Sequence, residues 1–111
     1  VRLYYTGWSS STGEADWGLR PLFAGDKTPP SMYNISYYKN PTVDADIMKA
    51  LGTTDRAEKT KLYTEVQEEI WKDAPWAFLV TEKLLYATSK KLTGMYVMPD
   101  ANYFFEEIGL Q

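Results

Sequence analysis

The chain has 111 residues, enough for one domain at most, and its 44% hydrophobic and 24% charged residues are near globular averages, which excludes a disordered chain. Cysteine and histidine are both absent, which excludes zinc sites built on these residues, disulfides, thiol nucleophiles and a Ser-His-Asp triad. The net charge of −3, without a basic stripe, argues against a nucleic-acid-binding protein.

The first part of the chain combines a predicted strand, a polar loop and a short helix. Residues 1–8 are rich in β-branched and aromatic types, which favours a strand. Residues 9–13 are polar, and their hydroxyls are expected to cap a helix over residues 14–23. Pro21 makes that helix short or kinked, because proline lacks the N–H group that a helix interior uses.

A loop over residues 25–38 leads to a second predicted helix. Asn40 and Pro41 predict its start, because asparagine is a favoured N-cap and proline fits the first helical position. Gly52 predicts its end. The apolar face is predicted to contain Val43, Ile47 and Leu51, with Met48 and Ala50 completing it.

The third and longest predicted helix begins at Asp55, which has the spacing of a capping box with Glu58, and ends before Pro75. Glu68 and Lys72 are expected to form an ion pair on its wet face, since they are four residues apart. The apolar face is predicted to contain Leu62, Tyr63, Val66, Ile70 and Trp71.

Three extended segments are predicted beyond this helix, over residues 76–81, 84–88 and 92–98. The resulting order of elements indicates the α/β class and neither a helix bundle nor a β-sandwich. Aromatic residues make up 15% of the chain, more than a core of this size needs, so some are expected to line a groove, a ligand cavity or an interface. Both ends are expected to be cut ends, because natural domains usually begin and end in polar linkers.

The most informative candidate site is the segment between the first strand and the first helix. We name residues 9–13 the hydroxyl loop, and together with the preceding tryptophan it supplies the candidate ligand-binding residues Trp8, Ser9, Ser10, Ser11 and Thr12. Hydroxyls and backbone N–H groups at the start of a helix bind carboxylates or phosphates, and the indole could form a wall. The alternative is that the hydroxyls only cap the helix and the tryptophan belongs to the core.

Other candidates favour structural roles over catalysis. Glu14 and Asp16 are two residues apart on a helix and do not face each other, so they complement the helix dipole better than they form an acid–base pair. Tyr33, Tyr37 and Tyr38 could stack on a ligand, seal an interface or pack in the core with their hydroxyls toward solvent. No catalytic residue and no cofactor is therefore predicted.

A series of landmarks along the chain resembles the C-terminal region of the family 5 extracellular solute-binding proteins, the peptide and nickel receptors of ABC importers. The landmarks are Tyr5-Thr6-Gly7-Trp8, Glu14-Ala15-Asp16, Leu22-Phe23, Tyr38-Lys39-Asn40-Pro41-Thr42-Val43-Asp44, Thr54-Asp55-Arg56-Ala57-Glu58-Lys59, Leu62-Tyr63, Asp73-Ala74-Pro75 and Leu92-Thr93-Gly94. They cover nearly all of the chain in the order and spacing of the family. Within the family the likeness points to the glutathione receptors, through the stretch from Ser11 to Trp17 and through Met98-Pro99-Asp100.

The resemblance implies a fold and a function. The fold would be the two-lobed periplasmic-binding-protein type II fold, with a mixed sheet and flanking helices. Residues 1–111 would be a single fragment of the C-terminal lobe, with about the last 35 residues returning toward the first lobe. The function would be capture of glutathione or a related small peptide and its delivery to the membrane permease. Peptide-binding members hold the ligand's α-ammonium group with an Asp where this chain has Ser11, which argues against ordinary peptides.

Two alternatives stay open at this point. The same family includes receptors for di- and oligopeptides, nickel chelates and haem, and a small aromatic-rich domain could instead dock another protein. As a family member, the parent protein would be periplasmic, or lipid-anchored outside a Gram-positive cell. The fragment would hold one wall of the cleft, so it is expected to bind ligand weakly alone and could dimerise through exposed lobe surface.

Overall fold

A computed structural model describes residues 3–98 and 100–111 and separates the chain into two compact units. The helical unit is Glu14–Phe78, and the strand unit combines Val1–Gly13 with Leu79–Gln111. Val1, Arg2 and Pro99 lie outside the described residues, and with them the start of the first predicted strand. None of the helices in the described ranges has the length and apolar character needed to cross a membrane.

The first helix, α1, spans Ala15–Phe23, close to the predicted bounds. Its N-cap is Glu14, whose side chain makes no capping hydrogen bond, so the N-cap lies beyond the predicted residues 9–13. The reason is a turn one step earlier: the N–H of Gly13 donates to the carbonyl of Ser10 at 3.3 Å. Gly13 adopts a φ of 69°, and the chain then enters the helix only at Ala15.

The second helix, α2, spans Pro41–Gly52, and both predicted ends are confirmed. The Asn40 side chain caps it, because Oδ1 accepts hydrogen bonds from the N–H groups of Thr42 at 2.9 Å and Val43 at 3.4 Å. Leu51 is 43% exposed and Met48 is 65% exposed, so their predicted places on the apolar face are wrong. The buried face of α2 consists of Val43, Ile47 and Ala50.

The third helix, α3, spans Arg56–Asp73 and begins as predicted, with Oδ1 of Asp55 accepting from the N–H of Glu58 at 2.9 Å. The return half of the capping box is different, because the Glu58 carboxylate accepts the hydroxyl of Thr53 at 2.9 Å. Ala74 ends α3 in the left-handed region, with a φ of 47°.

The two faces of α3 follow the sequence pattern with two exceptions. Trp71 is 68% exposed and stacks on Phe78, with ring centroids 5.6 Å apart, so it lies outside the core. Lys72 pairs with Glu69 at 3.4 Å and not with the predicted Glu68. The predicted residues that are buried are Leu62, Tyr63, Val66 and Ile70.

The core of the helical unit lies among the three helices, with α2 and α3 in the most extensive contact. Half-buried Tyr38 and Trp76 cover one side of it, and the rings of Phe23 and Trp76 lie 4.8 Å apart. The main cluster contains Leu22, Phe23, Ala24, Val43, Ile47, Val66 and Ile70. A smaller cluster contains Ala50, Leu62 and Tyr63.

A buried asparagine organises the loop between α1 and α2. The side-chain amide of Asn34 donates to the carbonyls of Ala24 at 3.0 Å and Tyr38 at 2.8 Å. Its Oδ1 accepts from the hydroxyl of Ser36 at 3.0 Å and from the N–H of Tyr38 at 3.1 Å. Asn34 is fully buried, and its hydrogen bonds satisfy several backbone groups that no regular element pairs.

The strand unit contains two small antiparallel pairs. Strands β1 (Leu92–Thr93) and β4 (Gly109–Leu110) pair with each other, and β2 (Tyr96–Val97) pairs with β3 (Tyr103–Phe104). Helices and small sheets together agree with the α/β class. The expected mixed sheet is not found in the described residues, whose strands form only these two antiparallel pairs.

The remaining predicted strands are not formed in the described part of the chain. Residues 3–8, 76–81 and 84–88 have no assigned strand, whereas the segment predicted over residues 92–98 contains β1 and β2. A strand needs a neighbour for its ladder of hydrogen bonds, and an extended sequence pattern does not supply one. Many of their side chains remain open to solvent, with Leu3 and Leu85 each 90% exposed, although Trp76 is half-buried against the helical core.

Candidate functional site

The hydroxyl loop forms a compact turn in the strand unit. The hydroxyl oxygens of Ser10 and Thr12 lie 3.5 Å apart across the turn that Gly13 closes. Ser11, at the tip, is exposed and makes no hydrogen bond to another described residue. Ser9 faces another loop, because its hydroxyl donates to the backbone carbonyl of Asp100 at 3.4 Å. The predicted hydroxyls therefore gather on one short surface turn.

Trp8 precedes this turn and is 37% exposed. Trp8 is thus not one of the buried core residues among those that the structure describes. An indole combines an apolar ring with an N–H donor, and in sequence it adjoins the hydroxyl loop. Such a combination suits a small ligand that carries both apolar and polar groups.

The loop that Ser9 contacts is the turn between β2 and β3, which the sequence-based site did not include. The Asp100 carboxylate accepts from the N–H of Asn102 at 3.1 Å and from its side-chain amide at 2.8 Å. The hydrogen bond from the backbone N–H, with that of the amide, lowers the pKa of Asp100. An Asp and an Asn separated by one residue form a recognisable turn signal. Nothing in the sequence indicates that this turn contacts the hydroxyl loop.

Glu14 and Asp16, considered for acid–base chemistry, lie in the helical unit. Asp16 accepts a bidentate ion pair from Arg20, with the Nη2–Oδ2 distance 2.7 Å and the Nε–Oδ1 distance 2.9 Å. The hydrogen bond with Asp16 raises the pKa of Arg20. The hydroxyl of Tyr63 also donates to Asp16, at 3.4 Å. Asp16 thus joins α1 to α3, which is a structural role.

The three tyrosines considered as a ligand platform have different surroundings. Tyr38 is half-buried with its ring edge-on to Phe23, and its hydroxyl donates to Oδ2 of Asp73 at 2.7 Å. Burial, reinforced by this hydrogen bond, raises the pKa of Tyr38 to about 12. Tyr33 and Tyr37 are 52% and 62% exposed. Tyr38 therefore serves the helical unit, as the packing alternative predicted.

Metal binding has little basis in the described ranges, because they contain no group of three or more carboxylates that could hold a metal ion, and the chain has no His or Cys. The candidate residues Trp8, Ser9, Ser10, Ser11 and Thr12 supply one indole and four hydroxyls.

Comparison with known proteins finds relatives along the whole chain, although no protein-family profile matches it. The chain is 61% identical over 110 residues to the glutathione-binding protein GsiB of Pectobacterium atrosepticum. This alignment covers 99% of this chain and 21% of that protein. It is 53% identical over 111 residues to the proteins of the same name from Salmonella typhimurium and Escherichia coli K12. The chain is similar throughout to glutathione-binding proteins.

The resemblance drawn from the sequence is thus confirmed, including the likeness to the glutathione receptors. The chain spans about a fifth of the length of these relatives. They are named for binding and not for a reaction, which supports the prediction that the chain is not an enzyme. The alternative of a small protein-docking domain is not favoured by relatives of this kind.

Proposed function

We propose that this chain is part of a receptor that captures glutathione or a related small peptide and delivers it to the permease of an ABC importer. The observation that carries this proposal is the identity of 53–61% with proteins named for glutathione binding, which extends over essentially the whole chain. The exposed combination of an indole with a hydroxyl turn agrees with a binding role and needs no catalytic group.

The family resemblance supports a position for the chain within the receptor. Residues 1–111 would form part of the C-terminal lobe of a two-lobed protein, with about the last 35 residues returning toward the first lobe. The lobes would close on the ligand by a hinge motion. The receptor would act in the periplasm, or lipid-anchored outside the membrane in a Gram-positive source. We further propose that the fragment forms a dimer through exposed lobe surface, so that its partner is a second copy of itself.

The ligand-contacting residues in this proposal are those of the exposed turn and its tryptophan. The Ser11 hydroxyl at the tip is available to donate to a ligand carboxylate. The indole of Trp8 would pack on the ligand's apolar atoms. Contacts from Ser9, Ser10 and Thr12 complete the proposed set.

The test is calorimetric titration of the intact parent protein with reduced glutathione, oxidised glutathione and a plain dipeptide. Tight binding of a glutathione form, with no binding of the dipeptide, is the expected result. Binding of the dipeptide alone would keep the receptor class and reject glutathione as the ligand. If none of the three ligands binds, glutathione is rejected as the ligand, and nickel chelates and haem become the next ligands to test.

The same titration tests the tryptophan. Trp8→Ala is expected to weaken glutathione binding by about 1–3 kcal/mol, because a large aromatic face at a binding site is lost. Trp8→Phe is the matched control and should retain most of the affinity, since it keeps an aromatic face. Unchanged affinity in a normally folded Trp8→Ala variant would remove Trp8 from the site.

A further inference from the structure

The last turns of α3 carry a large aromatic side chain outside the core. Trp71 is 68% exposed and stacks on Phe78, with the ring centroids 5.6 Å apart and the ring planes 20° apart. The ring of Phe78 in turn lies 6.1 Å from that of buried Phe23 and 6.4 Å from that of half-buried Trp76. We name Trp71 and Phe78 the aromatic pair. Because Phe78 packs against core residues, stacking holds the indole in a defined orientation while most of its surface stays open to solvent.

Polar and acidic side chains border the aromatic pair on α3. Gln67 and Glu68 precede Trp71 by about one helical turn, which places them beside it on the helix surface. Both are exposed, and in the described part of the chain Glu68 has no ion-pair partner. Residues 65–73 contain four acidic residues and one lysine, so this end of the helix is negatively charged. The indole is thus one apolar anchor within a polar border.

We propose that the aromatic pair and its acidic border form the docking surface for a transient protein partner, one with a basic surface around an apolar pocket. This inference rests on the function proposed above, under which the partner is the permease. Tryptophan is enriched among the residues that dominate the binding energy of protein interfaces, and such residues typically lie inside a polar rim. A side chain that is already held in place also loses little freedom on binding.

The composition of this border argues for a transient partner over permanent packing against the remaining four fifths of the receptor. Permanent interfaces are more hydrophobic, whereas interfaces that form and separate keep polar residues around their anchors. Helix α3 has Gln67 and Glu68 where a permanent contact would favour apolar side chains. The excess of acidic residues selects a partner of positive charge and speeds the encounter of the two surfaces.

The experiment combines the intact receptor with the permease complex in proteoliposomes and measures the ATP hydrolysis that the receptor stimulates in the presence of glutathione. Trp71→Ala removes the anchor, and we expect the receptor concentration for half-maximal stimulation to rise about tenfold or more. The affinity of this variant for glutathione, measured by calorimetry, should stay unchanged. Glu68→Lys keeps the aromatic pair and reverses a border charge, so it should raise that concentration by about two- to fivefold at low salt and less at high salt.

The control is Met48→Ala, which removes an apolar side chain of similar exposure, 65%, from α2 and should leave both measurements unchanged. Stimulation by Trp71→Ala at the same concentration as the unsubstituted receptor would overturn the docking surface alone. A loss of thermal stability or of glutathione affinity in Trp71→Ala would show that another part of the receptor covers the aromatic pair, which would also overturn it. An unsubstituted receptor that binds no glutathione or fails to stimulate the permease would overturn the proposed function itself, and the docking surface with it.

Discussion

Asn34 lies buried in the loop between α1 and α2, where both donors and the acceptor oxygen of its amide are used. The residues 34–36 also match a glycosylation acceptor in sequence. Complete burial of the amide in the folded chain argues against that modification. The structure instead assigns Asn34 to the support of a loop whose backbone has few partners in regular elements.

Replacing this residue should be costly. Asn34→Ala leaves the carbonyl of Ala24 and the backbone N–H and carbonyl of Tyr38 without these partners, so we expect a loss of about 2–3 kcal/mol in the free energy of unfolding. Ser36→Ala, which removes only one donor to Oδ1, should cost less than about 1 kcal/mol. Urea unfolding of both variants measures the difference, and similar losses would contradict the assignment.

The roles of residues that bond to near neighbours in sequence could be predicted. Contacts between residues that are distant in sequence could not. Asn40 and Asp55 cap their helices as expected, because a cap bonds N–H groups only two or three residues away. Asp100 meets Ser9 across most of the chain, and no local pattern encodes that contact. The ligand-binding role of the loop's hydroxyls stays a prediction, and the N-cap of α1 is Glu14 and not a residue of the loop.

Among the elements, the strand pairs of the strand unit depend on a close approach at Gly94. Gly94 lies between β1 and β2 with a φ of 73°, and a Cβ there would overlap the carbonyl oxygen of Glu107. In Gly94→Ala the alanine must adopt a left-handed conformation and also displace backbone atoms. We therefore expect the free energy of unfolding to fall by about 1–3 kcal/mol or more.

Gly18, within α1, offers the matched control because a Cβ there meets nothing within 4 Å. Gly18→Ala should stabilise the protein by up to about 1 kcal/mol, since alanine favours the helix. Thermal unfolding of the two variants should therefore shift in opposite directions. A Gly94→Ala variant as stable as the unsubstituted protein would contradict the close approach.

The helices were predicted more fully than the strands for a physical reason. The hydrogen bonds of α2 and α3 are made within each helix, so caps and periodicity in the sequence are sufficient to place them. Residues 76–88 have the composition of strands but lack assigned pairing, because pairing depends on a second segment. The predicted strand over residues 92–98 did find partners, in β3 and β4.

At the scale of the whole molecule, the burial is unevenly distributed. Every described residue in the buried class lies between Pro21 and Ile70, within the helical unit. The strand unit instead exposes many large apolar side chains, with Val80 at 74% and Leu110 at 81%. The aromatic surplus seen in the sequence is thus largely a surface property, as a binding or interface role requires.

The stability of the protein should fall at alkaline pH because of two tyrosines. Burial raises the pKa values of Tyr38 and Tyr63 from 10.0 to about 12. The folded state then keeps protons that the unfolded state loses, so their contribution is complete below pH 10 and is lost as pH rises toward about 12. Urea unfolding across this range should show the decline, and the double variant Tyr38→Phe, Tyr63→Phe should flatten it. An equally steep decline in that variant would contradict the assignment.

The carboxylate of Asp73 has a consequence for how the helical unit opens. Its Oδ2 accepts from the hydroxyl of Tyr38 at 2.7 Å and from the side-chain amide of Asn40 at 2.8 Å, while Asn40 also caps α2. Fraying at the last turn of α3 would therefore release the group that steadies the first turn of α2. In amide hydrogen exchange, these two helix ends should open together as one cooperative segment, although they are distant in sequence.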